Sequence, residues 1–270
     1  MSKQDSATES KAILIVENAS YEYRAVRKKL ISRAVRQSAL GNASMTISSG
    51  DAIGIVGSSG AGKTTFARIL SGQLVPSSGV VSYLGTDLQQ MSNENELGFR
   101  RGVQYVFQNP RASFDPRLKL GDSLLEPLKS LKILGNHQNI IDQTLIRVGL
   151  DISMIDRFSH ELSGGQLQRM AIARALVVKP KVLIADEPSS SLDVSVRAQI
   201  LNLFKDLTDD EDMALILIAH DLAAVAYTTK QIVVFSCGYL STHTNSYLIC
   251  INETKIVFYL FFIYRKICTF

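Results

Sequence analysis

The chain is predicted to be an α/β protein with a parallel-sheet core, and three observations carry that expectation. Short apolar runs at Ala52 to Val56, Val182 to Ala185 and Ala214 to Ala219 each end in turn or polar residues, the pattern of strands buried on both faces. Between the last two, Val196, Ile200, Leu203 and Leu207 recur at helical spacing behind Asp193, a credible N-cap. Strand, helix, strand in that order implies parallel pairing through a crossover.

Other segments attach to this core. Ile13 to Tyr23 followed by Ala43 to Ile47 suggests a small antiparallel sheet, whose basic connecting loop, Arg24 to Arg36, is read as a solvated surface. From Asn109 to about Ser159, prolines at 110, 116 and 127 punctuate leucine-rich helical segments without a strong strand pattern, which suggests an inserted helical lobe. A chain of 270 residues, 46% hydrophobic and 20% charged, is the size of one large domain divided into two lobes. Its formal net charge of +4 does not mark a dedicated nucleic-acid binder. Cys237, Cys250 and Cys268 have neither metal-ligand nor Cys-x-x-Cys spacing and are read as reduced. Met1 to Lys11 is polar, without the apolar core of a secretory signal, so a cytosolic location is expected.

The chemistry begins at Gly57-Ser58-Ser59-Gly60-Ala61-Gly62-Lys63-Thr64, which matches the phosphate-binding loop G-x-x-x-x-G-K-[ST]. It follows the strand Ala52 to Val56 and opens a helix with Phe66, Ile69 and Leu70 on one face, the context the motif requires. Glycines let backbone N–H groups curl around a β-phosphate, and the helix dipole favours an anion there by up to about 2 kcal/mol. Lys63 would reach the β- and γ-phosphates of ATP, and the Thr64 hydroxyl would ligate Mg²⁺.

Val182 to Glu187 reads as a buried strand ending in two adjacent carboxylates. Strand alternation would send Asp186 towards the metal and Glu187 towards the attacking water, as general base. Leu162-Ser163-Gly164-Gly165-Gln166 precedes a helix, Leu167 to Leu176, with Ser163 as its N-cap. A hydroxyl, two bare backbone N–H groups and a helix dipole form a second anion site that one nucleotide does not need. Either it caps ATP held by a partner chain or it is a plain helix cap.

The spacing of Lys63, Ser163, Asp186 and His220 resembles the ABC ATPase family over Ile13 to Gly238. The resemblance implies a P-loop NTPase (RecA-like) core, an N-terminal antiparallel β subdomain, and a helical subdomain inserted at about 109–172. It implies nucleotide contacts through Gly57 to Thr64 and Thr65, with Tyr23 stacking on adenine and Tyr21 a poorer match. Gln108 would sense Mg²⁺ and link to a membrane subunit, and His220 would contact the γ-phosphate. Ser190-Ser191-Leu192-Asp193 resembles the loop that signals between two ATP sites, while Ser163, Gly164, Gly165 and Gln166 would face the partner's nucleotide. His160 is read as structural, and His137 and His243 carry no assigned role.

Gln108-Asn109-Pro110 with Ser113-Phe114-Asp115-Pro116-Arg117 is similar to the Q-[DN]-P-x-x-S-[LF]-[ND]-P-R run of dipeptide, oligopeptide and nickel importers. Tyr83-Leu84-Gly85 and Arg157 to Gln166 agree with that subfamily, although Ser159 stands where a proline is usual. The implied protein hydrolyses Mg-ATP as half of a two-chain sandwich, a homodimer or heterodimer, at the cytoplasmic face of the membrane. It would work with permease subunits and, indirectly, with an extracellular binding protein. Two alternatives are a soluble ABC ATPase acting on DNA or ribosomes, and a subunit that binds ATP without supporting transport. After Gly238 the resemblance stops: Tyr239 to Phe270 lacks the subfamily's further β-hairpin and shows no periodicity, so a shifted reading frame is one expectation for it. Its nine-residue apolar run, Ile256 to Tyr264, is too short to span a bilayer.

Overall fold

The computed structural model describes residues 12–24, 36–209, 213–236, 239–240 and 249–250. Two long strands, β1 (Ala12–Arg24) and β2 (Arg36–Ser48), pair antiparallel, with the ends of the expected basic loop facing each other at Arg24 and Arg36. The loop interior, residues 25–35, lies outside the described residues, as do 1–11, His243 and the apolar run 256–264. The run Ala52–Gly57 forms β3, and α1 (Lys63–Leu70) follows the phosphate loop. The chain continues through β4 (Ser78–Tyr83), β5 (Thr86–Asp87), α2 (Asn93–Gly102) and β6 (Val103–Val106). The helical stretch holds α3 (Leu120–Ser130), α4 (His137–Arg147) and short single-turn helices, then α5 (Gly164–Leu176). The core closes with β7 (Val182–Asp186), α6 (Val194–Asp209), β8 (Ala214–Ile218), α7 (Leu222–Thr228) and β9 (Gln231–Ser236). Two short strands follow, β10 (Tyr239–Leu240) and β11 (Ile249–Cys250).

Strands β9, β3, β8, β7 and β6 lie side by side, all parallel, so that the C-terminal ends of β3, β7 and β8 share one edge. Alternation sorts their side chains onto two faces. Leu183, Ala185, Leu215 and Leu217 join one buried cluster with α3, α4, α5 and α6. Val182, Ile184, Ala214, Ile216 and Ile218 join another with α1, β1 and β2. Each strand is therefore apolar on both sides, which is why the three runs are visible in the sequence.

Several sequence-based expectations change here. Pro127 lies inside α3 rather than ending it, at the cost of one ladder hydrogen bond. β7 stops at Asp186, and Glu187 takes a left-handed backbone (φ 48°), so strand alternation does not set its direction. The stretch after Gly238 is not wholly without strands. β10 pairs antiparallel with β9 and parallel with β2, joining the two sheets, and β11 pairs antiparallel with β9. Two-residue strands are too short to show any periodicity. Among the described residues, no helix is long and apolar enough to cross a membrane.

Candidate functional site

The phosphate loop bridges β3 and α1. Gly62 is the N-cap of α1 with φ 97°, a conformation that costs an L side chain about 1–2 kcal/mol, and no side chain caps the helix. The first N–H groups of α1 are thus left for an outside acceptor. Lys63 is buried, and its Nζ donates to the carbonyls of Gly57 (2.8 Å) and Ser58 (2.9 Å), curling the loop around the ammonium. Burial lowers the Lys63 pKa, an effect opposed by the charges of Glu187 and Asp186.

Asp186, 4% exposed, closes β7 next to this loop. The Thr64 hydroxyl donates to its Oδ1 at 3.4 Å, and the Tyr105 hydroxyl donates to its Oδ2 at 2.8 Å. Glu187 lies between two other groups: Gln108 Nε2 donates to Oε2 at 2.9 Å, and His220 Nε2 meets Oε1. Ser190 joins them, accepting from Gln108 Nε2 at 3.4 Å and donating to the Glu187 carbonyl at 3.2 Å. The left-handed backbone at Glu187 explains the grouping, since it turns the side chain from the strand axis towards the ends of β6 and β8.

The structure therefore brings Lys63, Thr64, Asp186, Glu187, Gln108 and His220 to one edge of the parallel sheet. Gln108 points its amide nitrogen at Glu187 and Ser190, not at Thr64. Tyr23, 41% exposed, packs edge-on to Tyr21 with ring centroids 5.0 Å apart, and its hydroxyl lies 3.3 Å from Thr65 Oγ1, beside the start of α1.

Ser163 to Gln166 are placed differently. Ser163 caps α5: its Oγ accepts from Gln166 N (3.3 Å), and Gln166 Oε1 accepts from Ser163 N (3.0 Å). A Cβ on Gly165 would sit 2.5 Å from Val196 Cγ1, so this glycine lets α5 press against the start of α6. There Asp193 caps α6, accepting from Val196 N (2.9 Å) and Ser195 Oγ (2.8 Å), and these bonds lower its pKa. Among the described residues, no hydrogen bond joins Ser163 to Gln166 with the phosphate loop. His160 stacks on Phe158, and His137 Nε2 meets the Ile133 carbonyl, both local contacts.

Tyr105 was not singled out from the sequence. In β6 it is paired with Ile184 of β7, which places Asp186 two residues further along the same face. Burial and the neighbouring Asp186 carboxylate raise its pKa, so it stays a donor. The run Val103-Gln104-Tyr105-Val106 is short and mixed in polarity, and its register on β7 is what brings Tyr105 to Asp186.

A model of the ABC transporter family matches residues 40–190. The oligopeptide transport ATP-binding protein OppF of Salmonella typhimurium is 42% identical over 193 residues, which are 70% of this chain and 58% of that protein. A putative peptide import ATP-binding protein of Brucella ovis is 37% identical over 227 residues, 83% of this chain and 71% of that one. The chain thus spans about three fifths of the length of the oligopeptide relatives it matches. The bacterial ABC transporter cassette MJ0796, solved as a dimer, superposes with a TM-score of 0.72 at 25% identity, covering 85% of this chain and 97% of that chain. CbiO1 of Clostridium perfringens, part of an ABC transporter complex, gives 0.71 at 28% identity, covering 86% and 87%. Its parallel core is the P-loop NTPase fold, and the chain belongs to the ABC transporter family.

Proposed function

We propose that the chain is the ATP-binding and ATP-hydrolysing subunit of an ABC importer for peptides or nickel, acting as half of a dimeric sandwich. The observation that carries this reading is the gathering of a phosphate loop, a metal-side carboxylate and a base at one sheet edge. In it, Gly57 to Thr65 cradle the phosphates of ATP, Lys63 neutralises their charge, and Tyr23 stacks on adenine beside Thr65. The Thr64 hydroxyl and the Asp186 carboxylate, 3.4 Å apart, are hard oxygen donors of the kind Mg²⁺ takes alongside substrate phosphates and water. Among the described residues there is no cluster of three or more His, Cys, Asp or Glu that would cage a metal by protein alone. Mg²⁺ would offset the charge developing on the phosphates. Gln108 is proposed to join this metal set by turning from Glu187.

Glu187 serves as general base, taking the proton of the attacking water, and Gln108 and His220 hold its two oxygens until substrate replaces them. His220 then contacts the γ-phosphate. Ser163, Gly164, Gly165 and Gln166, with Asp193 behind them, serve the nucleotide of a second ATPase chain. Support for that partner is that, among the described residues, no hydrogen bond joins this cap to its own phosphate loop, and that the MJ0796 cassette was solved as a dimer. Permease subunits would dock in the groove of about 380 Å³ between β6, α3 and α5, beside the exposed Phe107, with an extracellular binding protein delivering cargo to them. The location that follows is peripheral, at the cytoplasmic face.

The peptide or nickel assignment rests on the Gln108 to Arg117 run and on relatives whose names specify oligopeptide transport or peptide import. The test is Mg-ATP hydrolysis by the purified chain with and without a partner ATPase, then peptide-stimulated hydrolysis on adding permease and binding protein. Hydrolysis that rises with chain concentration is expected. ATP binding without hydrolysis under every pairing would retire the catalytic assignment.

A further inference from the structure

We infer that Tyr105 is a positioning residue: its hydroxyl holds one oxygen of Asp186 so that the other faces Thr64, and this sets how tightly a divalent cation is held with the nucleotide. The inference rests on the proposed assignment of Thr64 and Asp186 to the metal.

The geometry separates two hydroxyls with different work. Among the described residues, those of Tyr105 and Thr64 are the two side-chain groups that hydrogen-bond Asp186. The Tyr105 contact, at 2.8 Å, is a full-strength hydrogen bond to a carboxylate. The Thr64 contact, at 3.4 Å, is near the limit of bonding and readily exchanged for a better acceptor or a cation. A carboxylate at the end of a buried strand, with one oxygen fixed and the other loosely engaged, points in a defined direction before any ligand arrives. That is the arrangement of an oriented metal ligand, in which the outer partner fixes the inner one.

The tyrosine is itself held in place. β6 and β7 pair in parallel with Tyr105 opposite Ile184, so its ring leans along the sheet towards Asp186 on the same face. The ring packs against Phe107, with centroids 4.7 Å apart, and against the buried cluster beneath α1. A side chain without a donor at this position would leave Asp186 Oδ2, on a residue only 4% exposed, without its short bond.

The test uses the full chain with Tyr105→Phe, which removes only the oxygen, and Tyr105→Met, which keeps an apolar contact without a donor. Binding of a fluorescent ATP analogue is measured in EDTA, and the Kd for Mn²⁺, standing in for Mg²⁺, is measured on the nucleotide complex by electron paramagnetic resonance. Both variants are expected to bind nucleotide in EDTA within about twofold of wild type. Both should hold Mn²⁺ about tenfold more weakly, the size of effect typical when an outer partner of a metal ligand is lost. Mn²⁺ affinity within twofold of wild type would overturn the inference. So would an equal loss of nucleotide affinity in EDTA and in Mn²⁺, which marks a packing role. Thr64→Ala and Asp186→Asn run alongside separate the two levels. If they leave Mn²⁺ binding unchanged, the metal assignment itself fails; if they weaken it and the Tyr105 variants do not, only the positioning role fails.

Discussion

The N-termini of α1 and α5 use similar residues, glycines beside a hydroxyl, yet satisfy their backbone donors in different ways. At α1 the N-cap is Gly62, no side chain caps the helix, and Lys63 falls back onto the carbonyls of Gly57 and Ser58. At α5 the serine and glutamine of the same short segment cap each other's backbone. An open terminus with a buried ammonium is prepared for a multiply charged ligand. A terminus already capped can share its donors with an anion but gains less from doing so. Under the proposed function, the difference suits the first site to bind nucleotide within one chain and the second to close over a nucleotide already held elsewhere.

The largest effect should appear where binding and chemistry part. Glu187→Gln keeps the shape of the side chain and its place between Gln108 and His220 but removes the proposed base. ATP hydrolysis should fall by about 10²–10⁴-fold while nucleotide affinity at the α1 site is kept. Steady-state phosphate release and equilibrium nucleotide binding, measured on the same preparation, check both halves. Unchanged hydrolysis would remove Glu187 from the role of base.

Next in size is Lys63→Ala, which takes the ammonium from the open terminus. Nucleotide affinity should drop by at least about tenfold, since a buried charge paired with phosphate contributes well over 1.4 kcal/mol. Equilibrium binding in EDTA isolates this from any metal effect. Affinity equal to wild type would mean that α1 and α5 do not differ as the geometry suggests.

The complementary role of α5 can be broken by mixing. A Lys63→Ala chain and a Ser163→Arg chain are each expected to be inactive alone. In a mixed dimer, one site carries both defects and the other carries neither, so about half of the activity per mixed dimer should return. Proven mixed dimers without recovered hydrolysis would count against a site shared between chains.

The contrast between the two termini was partly legible in the sequence. The phosphate loop, the caps Ser163 and Asp193, and strands β3, β7 and β8 are all marked by local chemistry, either a motif or apolarity on both faces. Strands β4 and β6 were not foreseen, because β4 (Ser78–Tyr83) is half exposed and β6 (Val103–Val106) is short and mixed in polarity. Helix α2 carries charged or amide side chains over most of its surface and buries only Phe99 and Gly102. Strand alternation is not what directs Glu187, because it lies one residue past the strand at a position with φ 48°. Tyr105 needed the register of β6 on β7, a non-local fact that no window of sequence contains. The strands β10 and β11 are two residues each and were missed for want of length, although β10 joins the two sheets.

The smallest effect is also the one that best sharpens the comparison, because it separates a cap from a binding site at a single atom. Ser163→Ala removes the acceptor of the Gln166 N–H and should cost about 1 kcal/mol of stability, read as a lower midpoint in urea. Ser163→Asp restores an acceptor of equal capping strength, so stability should return to that of wild type or slightly above it. If Ser163 only caps α5, hydrolysis should return with it. If α5 closes over a partner's nucleotide, Ser163→Asp sets a carboxylate against phosphate, and hydrolysis should remain well below that of Ser163→Ala despite the better cap. At α1 no such pair of variants exists, because its cap is a backbone conformation of Gly62 and not a side chain. Recovery of both stability and hydrolysis in Ser163→Asp would reduce α5 to an ordinary capped helix and leave α1 as the anion site of the two termini.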